Sequence, residues 1–165
     1  MELPYARHII RESRLTHRYY VNEVRLDYER RHPERPWRSE RTLLAQLSRR
    51  DPDKALPHVP DGEIWLSPDR VIAVEVELSP KSDRKMDEIL VELLAGDHPR
   101  YQSFWYFVSD AVPMHMQAWR TVVQAQSRLP LLLRSRMKII DLKKVGVRSN
   151  DAVSTTTEPR SDSHT

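Results

Sequence analysis

HVPDGEIWLSPDRVIAVEVELSPKS, His58 to Ser82, contains two strand-like runs, roughly His58–Leu66 and Arg70–Leu78, broken by Ser67-Pro68-Asp69. Apolar residues, many of them β-branched, dominate both runs, and a Ser-Pro-Asp break between them marks a hairpin. Side chains alternate faces along a strand. Ile72, Val74, Val76 and Leu78 therefore share one side, expected to face a core, while Ala73, Glu75 and Glu77 share the other. A three-residue turn pairs Leu66 with Arg70, and the same register sets Asp61 opposite Glu75. Directly opposed residues bring their Cβ atoms within about 4.5–5.5 Å. Asp61, Glu75 and Glu77 then crowd one patch, with Glu63 at its edge. A bulge at Pro60 or Gly62 would shift that register.

Opposed like charges destabilise a sheet. Solvent, a basic neighbour, a shared proton or a divalent cation must offset them. The chain has no cysteine. Oxygen ligands alone favour a hard ion, Mg²⁺ or Mn²⁺, over zinc. The patch is thus either the wet face of a sheet or a metal site.

Outward from the hairpin, His17, Val21, Val24 and Tyr28 recur at helical steps between about Leu15 and Arg31, and Pro33 and Pro36 end that helix. WRSERTLLAQL, Trp37 to Leu47, reads as a second helix and RRDPDKALP as a loop. Ser79-Pro80 carries a helix-start signal, a hydroxyl cap followed by proline. Met86, Ile89, Leu90, Leu93 and Leu94 form its apolar stripe, and Gly96 stops it. YQSFWYFVS, Tyr101 to Ser109, has the nearly continuous apolar character of a buried strand, so its aromatics are core. Asp110 and Pro113 open a further helix with Val112, Met116, Trp119 and Val123 on one side. MKIIDLKKV, Met137 to Val145, is a last strand, and the polar residues from Arg148 onward are expected to be disordered. The expected fold is α/β, a mixed central sheet flanked by helices, with the last strand–helix–strand unit a parallel crossover. Its expected organisation is a basic helical segment at 1–36, a core at 37–147 and a tail at 148–165.

One domain with a sizeable core fits 165 residues. No apolar run approaches the ~20 residues of a membrane span, and the N-terminus lacks a secretory apolar segment. A cytoplasmic protein without membrane association is the expectation. Net charge is only +3 but unevenly spread. Residues 1–50 hold 12 bases and 7 acids, residues 51–100 hold 6 and 12, and residues 101–165 hold 9 and 5. Arg outnumbers Lys by 21 to 6, and Arg suits bidentate phosphate contacts. An acidic middle repels phosphate unless a cation lies between them.

Pro60-Asp61-Gly62, the fourteen-residue step from Asp61 to Glu75, Glu77 and the nearby Lys81 resemble the motif of the PD-(D/E)XK restriction-endonuclease-like superfamily. More narrowly, VNEVRL, WRSER, HVPDGEI, AVEVELSPKS and FWYFV resemble the plasmid replication-relaxation family, over about residues 14–145. The resemblance implies a nuclease-type core with Asp61 and Glu75 as ligands of Mg²⁺ or Mn²⁺, Glu40 as a helix acid completing the site, and a link to plasmids or mobile elements. Glu77 stands where the superfamily usually has Lys, and Lys81 is the candidate substitute, on the first turn of the following helix. Relatives usually carry a winged-helix DNA reader before this core, which the 36 residues before WRSER are too few to build. Either the chain is a shortened version of the family or it acts with a separate partner that reads DNA.

The leading expectation is a divalent-metal-dependent phosphodiesterase acting on DNA. In it Asp61 and Glu75 hold the ion and Glu77 or Lys81 orients or deprotonates water. Arg84 and Lys85, crowded with Lys81 and Ser82 at a helix N-terminus, are the candidate phosphate contacts. His17, His58, His98 and His115 show no ligand spacing. Two alternatives are a non-catalytic replication factor that uses the fold as a DNA- or protein-binding scaffold, and an interaction domain whose acidic strand face binds a basic protein.

Overall fold

In the computed structural model, which describes residues 4–50, 58–95 and 101–146, the expected hairpin joins β2 (Gly62–Ser67) to β3 (Arg70–Glu77). The turn is tighter than a three-residue loop. Ser67 pairs with Arg70 around Pro68-Asp69, and a bulge at Leu66 absorbs the extra residue. From Trp65↔Val71 to Gly62↔Val74 the ladder then runs in the expected register. The irregularity thus sits beside the turn; the ladder ends at Gly62↔Val74, and Asp61 lies just before it, its side chain accepting from the Val76 amide.

Three residues of the region read as the start of a helix are a strand instead. β1 (Trp37–Ser39) pairs antiparallel with β2, Trp37 with Ile64 and Ser39 with Gly62. Helix α2 (Glu40–Arg50) begins only afterwards. Ser39 Oγ accepts from the Thr42 amide at 3.4 Å, so Ser39 occupies the cap position. Gly62 is obligatory here, because a Cβ on it would lie 2.1 Å from Cζ2 of the Trp37 ring.

β4 (Tyr101–Val108) and β5 (Met137–Asp141) add to β3 in parallel, giving a mixed five-stranded sheet in the order β1-β2-β3-β4-β5. β5 is shorter than expected, since Leu142–Lys144 turn into a 3-10 helix capped by Asp141. Helix α1 (Pro4–Arg31) covers one face of the sheet. Its Val24 and Tyr28 pack with Ile72, Val74, Val76 and Leu78, as the helical spacing predicts. α3 (Asp83–Ala95) and α4 (Pro113–Arg128) cover the other face, where Met86, Ile89, Leu90 and Leu93 meet Val71, Ala73, Phe104 and Tyr106. β3 is therefore buried on both sides, and only Arg70 is exposed.

Two helix readings need correction. α3 starts at Asp83, not at Ser79-Pro80, and Ser82 caps it by accepting from the Lys85 amide at 3.3 Å. Lys81 therefore lies in the connecting loop. In α4 the buried stripe is His115, Ala118, Val122 and Ala125. Val112, Met116 and Val123 are exposed, and only Trp119 of the expected stripe packs on the core. The buried stripe is therefore rotated by about one residue from the expected one, with Val122 inside and Val123 outside. A short α5 (Leu131–Arg134) precedes β5. Gly96, His98 and the tail from Arg148 lie outside the described residues.

Candidate functional site

At the carboxyl end of β3, where the parallel part of the sheet begins, a cleft of about 750 Å³ opens between α1, the loop before β2 and the start of α4. Open α/β sheets commonly hold ligands beyond the carboxyl ends of their parallel strands. Asp61, Glu75, Glu77, Lys81 and Glu40 all line this cleft. Arg14 and Arg18 of α1 and the rings of His17, His58 and His115 line it too.

Each acid is delivered by a different constraint. Glu75 and Glu77 lie on β3, on the face shared with Ala73, and are nearly closed off from water at 8% and 4% exposure. Asp61 precedes β2, and its Oδ2 accepts from the Val76 amide at 2.8 Å, taking the place of the next ladder bond. Glu40 is carried in by β1, because its amide donates to the Asp61 carbonyl at 3.1 Å, leaving its side chain exposed beside Asp61. The carboxylates of β3 are therefore not a solvated sheet face.

Burial makes each carboxylate take a cationic or donor partner. His58 Nε2 lies 2.6 Å from Glu75 Oε1. His17 Nε2 lies 3.3 Å from Asp61 Oδ2 and 3.0 Å from the Val76 carbonyl. Lys81 Nζ pairs with Glu77, which also accepts from the Ser79 amide at 3.3 Å. Burial pushes the Glu75 carboxyl above its usual range, against the pull of its His58 hydrogen bond, and the Asp61 charge pushes it further. The Asp61 hydrogen bond raises the His17 pKa despite burial. Burial works against protonation of His58, but its hydrogen bond and proximity to Glu75 more than compensate, so its pKa is raised as well. Burial lowers Lys81, with Glu75 and Asp61 opposing.

Tyr106 adds a further polar group. It pairs with Glu75 across β3 and β4, is 1% exposed, and its hydroxyl has no hydrogen-bond partner. Burial, then the charges of Glu75 and Asp61, hold its pKa well above the usual tyrosine value. Tyr106 belongs to the core packed under α3 and α4 and does not line the cleft. Among the described residues no three His, Asp or Glu side chains already converge as a ligand shell. The His17–Asp61 and His58–Glu75 pairs are two separate contacts on one cleft.

Other expected residues lie elsewhere. Arg84 and Lys85 do not line the cleft; both are exposed on α3 and reach Glu88, Arg84 at 3.0 Å. Glu63 lies away from the acidic patch, fully buried, accepting from Tyr101 Oη at 2.8 Å and Trp65 Nε1 at 2.9 Å. His17 and His58 were passed over for lack of spacing. Their signal lay in the fold, since His17 heads the buried stripe of α1 and His58 stands three residues before Asp61. Among the described residues no helix is long and apolar enough to cross a membrane. Compared with known proteins, the chain matches no family model, no curated protein and no solved structure.

Proposed function

We propose that this protein carries a restriction-endonuclease-like core that acts as a divalent-metal-dependent phosphodiesterase on DNA in the cytoplasm, in plasmid or mobile-element replication or mobilisation. The observation that supports the reading is that Asp61, bonded to the Val76 amide, and Glu75 line one cleft together with Arg14, Arg18 and Lys81. Asp61 and Glu75 would hold Mg²⁺ or Mn²⁺, with Glu40 beside them. Such an ion supplies polarisation of a phosphodiester and acidification of bound water. The donor chemistry fits, because two crowded carboxylates, one nearly buried, gain from a shared cation.

The chain's own residues do the rest. Arg14 and Arg18 offer guanidinium forks to backbone phosphates at the cleft wall. Lys81 Nζ pairs with Glu77, and Glu77 or Lys81 would orient or deprotonate the attacking water. Sequence specificity in this reading comes from elsewhere or is absent.

A second reading is favoured by one contact. Glu77 occupies the position where the resembled superfamily places its lysine, and it is neutralised by Lys81. A scaffold that binds nucleic acid or protein without cutting would keep such a closed pair. The deciding assay incubates supercoiled plasmid with the protein, Mn²⁺ and an Asp61→Asn control. Nicking by the wild type alone supports the enzyme. DNA retention without nicking supports the scaffold, and equal nicking by both proteins rejects the assignment of Asp61.

A further inference from the structure

The cleft is lined by two unlike sets of groups. Asp61, Glu75 and Glu77 are each met by a partner from the protein: His17, His58 and Lys81. The remaining cations and donors are not. Arg14 and Arg18 lie four residues apart on α1, both exposed, and neither joins an ion pair among the described residues. Met114 and His115 belong to the first turn of α4 and line the same cleft. Pro113 has no N–H to offer, and Val112 at the cap position supplies no side-chain bond. The amides of Met114 and His115 are therefore the first backbone donors of a 16-residue helix, and no cap side chain satisfies them.

The His115 ring is a second and independent sign of a guest. It is only 7% exposed, lines the cleft and packs edge-on against Tyr20 of α1 at 6.2 Å. Its Nδ1 is sealed off without a hydrogen-bond partner. Burial lowers its pKa, so the ring is neutral near pH 7 and carries a single N–H. With no acceptor beside Nδ1, that proton sits on Nε2, the one ring nitrogen that a molecule in the cleft can reach. Buried polar side chains are almost always paired, so an unpaired one on a cleft points to what the cleft holds. The imidazole N–H, the two helix amides and the two guanidinium groups are all donors. An oxyanion with several acceptor oxygens suits them together.

We propose that the N-terminus of α4, the His115 imidazole and the Arg14–Arg18 pair form a phosphate subsite that holds a non-scissile phosphate of a DNA strand. The proposal rests on the reading of the cleft as a DNA site, and it requires no metal. Asp61, Glu75 and Glu77 already have partners within the protein, so a phosphate can dock beside them without a cation between. Free phosphate offers the same oxygens. A strand is favoured because Arg14 and Arg18 stand about 6 Å apart along the helix axis, a separation on the scale of successive phosphates. One guanidinium can then hold the phosphate at α4 while the other holds its neighbour.

The test uses the full chain with a chelator present, so that metal plays no part. Protein labelled with ¹⁵N is titrated with a short DNA strand, with its duplex and with inorganic phosphate. Nuclear magnetic resonance follows the Met114 and His115 amides and the His115 ring nitrogens. The expected result is that these signals shift together with DNA, and with inorganic phosphate only at far higher concentration. Arg14→Gln and Arg18→Gln should each lower the slope of log affinity against log salt by about one unit. His115→Phe keeps the packing of a ring and should weaken DNA binding about tenfold or more. Melting confirms that each variant is folded, and the wild-type shifts stand whatever the variants do. DNA binding that leaves these signals unmoved overturns the subsite and leaves the DNA reading of the cleft standing. Shifts with inorganic phosphate alone overturn the DNA occupant, and no binding of any probe overturns the inference. The nicking assay with Mn²⁺ judges the enzyme separately, because strand binding here does not require cutting.

Discussion

His58 Nε2 lies 2.6 Å from Oε1 of Glu75, a carboxylate that is only 8% exposed and faces a second acid across the hairpin. In the metal-free protein this contact replaces lost hydration. His58→Ala strips the donor and leaves Glu75 beside Asp61 with less to offset their repulsion. The expected loss is about 1.5–3 kcal/mol, the range for hydrogen bonds to charged groups. Glu75→Gln removes the repelling charge and should change stability by less. Urea denaturation of the two variants and their combination measures this, and the double variant should lose less than His58→Ala alone.

Gly62 controls where Asp61 arrives. The Trp37 ring lies over it, so Gly62→Ala must push aside either the ring or the β1–β2 ladder. Overpacking of this kind costs about 1–3 kcal/mol. The same displacement moves Asp61 and the Glu40 amide bonded to its carbonyl. The variant should therefore melt lower and, in addition, bind Mn²⁺ more weakly than an equally destabilised core variant remote from the cleft. Equal binding by the two would show that Gly62 serves packing alone.

Much of this arrangement was legible in the chain. Period-two alternation in RVIAVEVELS and a proline-bearing turn fix the hairpin, and the register follows to Gly62↔Val74. What local pattern could not show was burial on both faces of β3. A glutamate in an alternating strand looks wet unless one knows that two helices pack behind it. Trp37–Ser39 is too short to show a strand period, and it is a strand because β2 offers an edge. The histidines were invisible for the same reason, since His17 and Asp61 are brought together only when α1 docks. On α4 apolar residues occupy more than one face, so local pattern could not choose between Val122 and Val123.

That last correction can be measured directly. Val122 is 0% exposed against the sheet, and Val123, its neighbour, is 43% exposed. Val122→Ala should cost about 2 kcal/mol through lost burial and the cavity left behind. Val123→Ala should stay within about 0.5 kcal/mol. Thermal melts of the pair decide which stripe of α4 faces the core, and the reverse ranking would mean that the helix is rotated.

The pH dependence of stability follows from the sign of each shift. His17, His58 and Glu75 all have pKa values raised in the folded protein. For each group the stabilising contribution is complete below its unfolded pKa and is lost as pH rises through the folded one. For Glu75 that loss begins above the ordinary 4.5, and for the two histidines above 6.5. His115 opposes them, since burial lowers its pKa and its contribution is lost as pH falls below 6.5. Above 6.5 it is the two raised histidines that titrate, so the metal-free protein should melt progressively lower as pH rises from about 6.5 to 8. His17→Gln and His58→Gln should flatten that slope, and His115→Gln should leave it unchanged, acting only below 6.5. A melting temperature that climbs across this range would mean that the imidazole–carboxylate contacts do not hold the cleft together without a metal.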